Sequence, residues 1–235
     1  MIYNDSQKKA VMHTTGPMMV LAGPGSGKTA VITGRTCQLT ASGISASRIL
    51  VVTFTRAAAK EMKERYLKAM GKTSTQVTFG TFHGVFYAIL RHTYRMSGNN
   101  ILSEEEKKRL MRELVNHYAR DLEEEDLEEN LAREISTVKN NQIPLEHYYS
   151  ACMPQEKFRE IYEAYEKWRK ENKKLDFDDL MVQCKRLFLE RPEVLRAWQQ
   201  KFQYILIDEF QDISPAQYEI VRMLALPENN LFIVG

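Results

Sequence analysis

Met18-Met19-Val20-Leu21-Ala22-Gly23-Pro24-Gly25-Ser26-Gly27-Lys28-Thr29 decides how the rest of the chain is read. An apolar run is followed by a loop with glycines at 23, 25 and 27, then Lys-Thr at the head of a helical pattern, Ala30 to Leu39. Glycine tolerates backbone conformations that side chains forbid, so successive N–H groups can turn inward at a helix N-terminus and hold an anion. In that arrangement Ala22 to Ser26 and Gly27 form a phosphate cradle, Lys28 reaches the β/γ-phosphates and the Thr29 hydroxyl holds Mg²⁺. Ala22 occupies the first position of G-x-x-x-x-G-K-[ST], where glycine is usual. The competing reading is a flexible Gly/Ser turn, which the strand before and the helix after argue against.

Working outward, short β-rich runs occur at Met18 to Leu21, Ile49 to Phe54, Gln76 to Phe79, Tyr204 to Ile207 and Leu231 to Val234. Helical patterns at Thr29 to Thr40 and Ala57 to Met70 separate the first three, the βαβα order of a parallel sheet with helices on both faces. Ligand loops then lie at the C-terminal ends of the strands. From Ser97 to Lys174 the β signal disappears. Ser103-Glu104-Glu105-Glu106 reads as a capping box before Leu110, Met111, Leu114, Val115 and Tyr118 on one helix face. A second helix is expected over Gln155 to Asn172, with Phe158, Ile161, Tyr162, Tyr165 and Trp168 along its buried stripe. The acidic run Asp121 to Glu129 reads as a solvated face. The expected organisation is therefore α/β, with residues 1–96 and 175–235 forming the sheet domain and 97–174 an all-helical insertion.

Composition narrows the class. The 43% hydrophobic and 27% charged content over 235 residues suits a globular chain with a sizeable core. Cys37, Cys152 and Cys184 have no metal-type spacing and suggest reduced thiols. No apolar run reaches a membrane-span length, and the Met-Ile-Tyr-Asn-Asp start lacks a signal-peptide core, so the expected compartment is the cytoplasm. Net charge is +2, yet residues 1–100 carry 13 Lys/Arg against 3 Asp/Glu and residues 101–235 carry 20 against 28. Two readings of that asymmetry stand: attraction of a polyanion, or pairing of the two halves in the fold.

Tyr204-Ile205-Leu206-Ile207 ends in Asp208-Glu209. With the glycine loop, an apolar strand ending in two acids suits metal-dependent hydrolysis: Asp208 holds the Mg²⁺ shared with Thr29, and Glu209 polarises the attacking water. Gln7, in the capped amphipathic stretch Asn4 to Val11, presents a donor and an acceptor that match the adenine edge. Taken alone it reads first as a surface helix residue.

Together these segments resemble the UvrD/Rep/PcrA family of superfamily 1 DNA helicases. The matching blocks are Asn4 to Val11, Leu21 to Thr29, Val52-Thr53-Phe54-Thr55 with Ala57 to Met62, Gly80-Thr81-Phe82-His83, Leu175 to Leu180 and Ile207 to Asp212, in the family's order and over nearly the whole chain. The resemblance implies a RecA-like P-loop NTPase domain (1A) carrying a helical subdomain (1B). It also implies ATP and Mg²⁺ as cofactors, single-stranded DNA and single/double-strand junctions as partners, and 3′ to 5′ movement of the complete enzyme. It gives Gln7 the role of adenine reader, makes Lys28, Thr29, Asp208 and Glu209 the hydrolytic set, and puts Phe54, Thr81, His83 and Phe177 on the DNA track. Phe54 and Phe177 could then stack on bases of any sequence, and Thr81 and Arg56 suit phosphate contacts. A core role remains open for both phenylalanines, and a buried structural role for His83.

Departures accompany the matches. Ala30 stands where many members carry arginine. In the family the strand Leu231 to Val234 leads into a γ-phosphate-sensing segment and a second motor domain, which supplies an arginine finger. The 235 residues alone are accordingly expected to bind ATP weakly, without useful hydrolysis or unwinding. Two other functions fit the same residues: a stand-alone nucleotide-dependent DNA- or protein-binding module, and the motor portion of a RecB/AddA-type helicase-nuclease.

Overall fold

The computed structural model describes residues 3–23, 25–96, 100–122, 126–141 and 143–235. In chain order the elements are α1 (Asp5–Met12), β1 (Met18–Val20), α2 (Lys28–Ala41), β2 (Ile49–Thr53), α3 (Arg56–Met70), β3 (Thr78–Thr81) and α4 (Phe82–Tyr94). The helical stretch α5 (Glu104–Tyr118), α6 (Leu127–Asn140), α7 (Gln155–Glu171) and α8 (Phe177–Glu190) follows. Then come α9 (Pro192–Lys201), β4 (Tyr204–Ile207), α10 (Pro215–Ala225) and β5 (Leu231–Val234). The chain divides into two compact units, Met1–Ile89 with Cys184–Gly235, and Leu90–Gln183. The division falls inside α4 and α8, and residue 97, where the sequence places the start of the insertion, lies outside the described residues.

The first unit is built on one sheet, all parallel, in the order β1-β5-β4-β2-β3. Every residue of β2, β4 and β5 is buried. Because side chains alternate faces, burial at every position requires cover on both sides. Ile49, Val51, Tyr204, Leu206, Phe232 and Val234 share one core with residues of α1, α2 and α3. The alternate set, Leu50, Val52, Ile205, Ile207, Leu231 and Ile233, is buried as well. β1 and β3, at the two ends of the strand order, are only partly covered.

Strand limits differ from the sequence reading at β1 to β3 for local reasons. β1 stops at Val20, whose partner Val234 closes the ladder with β5, and Leu21 beyond it is 84% exposed. Thr75 Oγ1 accepts from Val77 N at 3.0 Å, holding the chain in a turn where a strand was expected. β3 therefore begins at Thr78, pairing with Leu50, and runs to Thr81, opposite Thr53. Phe54 leaves the ladder one residue after β2.

The second unit contains α5, α6 and α7 around Leu110, Leu114, Leu131, Ile135, Phe158, Ile161 and Tyr165. The Ser103 box is formed: Glu106 N donates to Ser103 Oγ at 3.2 Å and Ser103 N to Glu106 Oε2 at 3.0 Å. On α7 the buried stripe ends in Arg169, while Tyr162 and Trp168, expected inside, are only partly covered. In the acidic run, residues 123–125 lie outside the described set; Leu127 is buried and Glu128 pairs with Arg112 at 3.4 Å. Among the described residues no helix is long and apolar enough to cross a membrane.

Candidate functional site

The glycine loop leaves β1 at its C-terminal end and enters α2 at Lys28. Gly27, the N-cap of α2, has φ +86° and Gly25 has φ +74°, so both lie in the region that strains other residues. Space is also tight at Gly27: a Cβ there would come 3.1 Å from Gln7 Nε2, so the Gln7 amide would have to give way by a few tenths of an ångström. Gly23 differs from the sequence reading. It has neither a positive φ nor a neighbour within reach of a Cβ, and its carbonyl accepts Ser26 N at 3.2 Å. Pro24 lies outside the described residues. The α2 N-cap offers no side chain, and no acid stands in the first turn, so the helix start is left to an external acceptor. The loop is fixed to the sheet by Ala22 N donating to Gly235 O at 2.7 Å, beyond the β1–β5 ladder.

β4 brings the acids to the same edge. Lys28 Nζ donates to Glu209 Oε2 at 2.5 Å, joining residues 181 apart in sequence. That hydrogen bond raises Lys28 above the ordinary lysine value and, with a second from Gln211, holds Glu209 below the ordinary glutamate value. Glu209 sits at φ +52°, ψ +50°, a left-handed conformation unusual for a non-glycine residue, from which the turn Phe210–Asp212 begins. Asp208 is 4% exposed and its N–H donates to Val52 O at 3.0 Å, tying it to β2. Its Oδ1 has no hydrogen-bond partner among the described residues. Burial first, then the Glu209 charge, pushes its carboxyl above the usual aspartate value. A buried carboxylate oxygen without a donor is a costly arrangement unless something electropositive is to be received there.

Residues 3–235 match the model of the UvrD/REP helicase N-terminal domain. The chain belongs to this family. Among curated relatives it is 41% identical over 239 residues to the putative ATP-dependent DNA helicase YjcD of Bacillus subtilis, covering 99% of this chain and 31% of that protein. It is 36% identical over 240 residues to the ATP-dependent DNA helicase PcrA of Leuconostoc citreum (99% and 32%). To PcrA of Staphylococcus aureus it is 35% identical over 243 residues (99% and 33%). The chain thus spans about a third of the length of these relatives.

The remaining sequence candidates distribute as follows. Gln7 is beside the loop, with its amide engaged: Oε1 accepts from Asn4 N at 3.0 Å and Nε2 donates to Ser26 O at 2.9 Å. Thr29 is half-buried in the first turn of α2. Phe54 and Thr81 follow or end the adjacent strands β2 and β3, at the same sheet edge as Asp208. Phe54 is half-buried, its ring centroid 5.3 Å from that of the buried Phe82. Arg56 is exposed at the start of α3, and His83 is half-buried in the first turn of α4. Thr81 Oγ1 accepts Gly84 N at 3.1 Å, which starts α4. Phe177 opens α8 and belongs to the helical unit.

Gln211, to which the sequence alone assigns no role, joins the same cluster. Its Nε2 donates to Glu209 Oε2 at 2.6 Å, the oxygen that Lys28 also holds. The signal available was weak: a third polar residue shortly after the Asp-Glu doublet.

Proposed function

We propose that this chain is the ATP-binding and single-stranded-DNA-binding portion of an ATP-dependent 3′ to 5′ DNA helicase. The observation that carries it is the Lys28–Glu209 pair beside an Asp208 oxygen without a partner among the described residues, at the C-terminal edge of a parallel sheet. The relatives' names, ATP-dependent DNA helicase, agree with that reading. Acting in the cytoplasm on single strands and single/double-strand junctions during repair, recombination or replication, a protein of the relatives' length would complete the motor with a second domain.

The chemistry follows from the residues. Gly23, Gly25 and Gly27 would present backbone donors to the phosphates, and Lys28 would exchange Glu209 for the β/γ oxygens. Asp208 Oδ1 and Thr29 Oγ1 are hard oxygens of the kind Mg²⁺ takes, and the orphaned Asp208 oxygen fits that use. A magnesium ion held by these oxygens would supply neutralisation of phosphate charge. Glu209, released from Lys28 and retained by Gln211, accepts the proton of the attacking water. Gln7 exchanges Ser26 for the adenine edge. Phe54 and Phe177 offer faces on which bases stack, and Arg56, Thr81 and His83 contact the strand.

Equilibrium titration of the chain with a fluorescent ATP analogue, with and without Mg²⁺, tests this. Binding that needs Mg²⁺ and is lost in Asp208→Asn is expected. Binding indifferent to both would overturn the assignment.

A further inference from the structure

We propose that Lys139 is a positioning residue for Phe177: with Tyr165 and Arg169 it holds the aspartates flanking that ring, and so fixes the aromatic face offered to single-stranded DNA. The inference rests on the proposed role of Phe177 in DNA binding. Its starting point is a juxtaposition within the helical unit. Phe177 is half-buried, whereas Asp176, Asp178 and Asp179 around it are all buried. Buried carboxylates must find donors, and here every oxygen does.

Asp176 Oδ1 accepts Asp179 N at 2.8 Å, and Asp179 Oδ2 accepts Asp176 N at 3.0 Å, a reciprocal box that closes over Phe177 at the start of α8. The other oxygens point to different helices. Asp176 Oδ2 takes Lys139 Nζ at 2.5 Å and Tyr165 Oη at 2.7 Å. Asp179 Oδ1 lies 2.7 Å from Lys139 Nζ, and its Oδ2 lies 2.6 Å from Arg169 Nη1. Asp178 is held independently, by Ser136 Oγ at 2.7 Å and Asn140 Nδ2 at 2.8 Å. Among the described residues Lys139 is the one group that bridges Asp176 and Asp179, and it comes from α6.

An apolar set of the same volume would give comparable stability, because burying charges offsets much of their attraction. What directional bonds add is a fixed geometry. Phe177, between the two bridged aspartates, cannot shift its backbone without breaking bonds to α6 and α7, so the direction in which its ring projects is set before a base arrives. Ordering in advance lowers the entropic cost of stacking.

The test is fluorescence anisotropy with a labelled oligothymidylate, on Phe177→Ala, Lys139→Met, Tyr165→Phe and the double variant of the first two, with circular dichroism to establish folding. Phe177→Ala should weaken binding about tenfold, as loss of one stacked base does. Lys139→Met should weaken it by a similar factor, leave binding of the ATP analogue unchanged, and add nothing in the Phe177→Ala background. Tyr165→Phe, which removes one bond from Asp176 and keeps the ring, should act in the same direction more weakly, and decides the matter if Lys139→Met does not fold. Normal DNA binding by the folded variants, or a fully additive loss in the double variant, overturns the positioning role. Normal binding by Phe177→Ala instead removes the DNA role of Phe177, and this inference with it.

Discussion

The two units each hold a cluster of cations and acids, and the clusters are built in opposite ways. In the sheet unit, Lys28 and Glu209 have side chains 16% and 37% exposed, the neighbouring Asp208 keeps an oxygen without a donor among the described residues, and the Glu209 backbone is left-handed. In the helical unit, Lys139, Asp176 and Asp179 have side chains 6%, 1% and 7% exposed, and each carboxylate oxygen of the two aspartates has a partner. A site that must trade partners keeps capacity open and tolerates local strain, while a frame saturates its bonds. The same residue types therefore do different work, and substitution can separate the two.

The largest expected effect is on the frame. Lys139→Met leaves the aspartates with Arg169 as their remaining cation, and breaking one side of a buried charge set costs about 3–5 kcal/mol. Urea unfolding of the helical unit should show it; a loss below about 1 kcal/mol would mean that water already serves these carboxylates. Lys28→Met is the counterpart. Its unfolding midpoint should match the parent, while affinity for the ATP analogue falls about a hundredfold, the loss expected when a charge-assisted phosphate contact is removed. Unchanged affinity would break the contrast at once.

A smaller effect runs in the other direction. Lys28 has to leave Glu209 before it can hold phosphate, so Glu209→Gln removes both a competitor and a negative charge. The affinity for the ATP analogue should rise by about twofold to fivefold, within the range of an exposed ion pair. Weaker binding would show that Glu209 helps to hold the nucleotide.

Legibility in the sequence followed the same division. The loop, the strand ending in Asp208-Glu209 and the parallel sheet were readable because glycine spacing and apolar runs are local signals. That Lys28 meets Glu209 required the strand order, which only a ligand hypothesis supplied. The helical frame was harder. Leu127, Leu131 and Ile135 recur every four residues on α6, and the next step of that series is Lys139, buried where the pattern calls for an apolar residue. Arg169 continues Ile161 and Tyr165 on α7 in the same way. A cation on an apolar stripe was the available sign, but its acids lie on α8, and sequence periodicity does not pair helices. Domain limits were soft for a related reason: α4 and α8 are continuous helices across them, and helical pattern carries no mark at a boundary.

The smallest effect concerns pH, and it asks how complete the saturation is. Two cations, Lys139 and Arg169, face three acids, Glu166, Asp176 and Asp179. Burial and then the Asp176 charge push Asp179 up to about 6, above the ordinary aspartate value. Burial acts on Asp176 in the same sense, but the charge and hydrogen bond of Lys139 outweigh it and hold Asp176 below the usual range. A raised carboxyl binds its proton more tightly in the folded state, so between the unfolded value near 4 and about 6 the folded chain carries more protons than the unfolded one. Stability from Asp179 is then full below about pH 4 and falls as pH rises through about 6. Asp179→Asn removes that slope, so its deficit relative to the parent should be larger at pH 4.5 than at pH 7 by urea unfolding. A deficit that grows towards pH 7 would mean that Lys139 and Arg169 hold the ionised carboxylate after all, and that the frame has no charge left over.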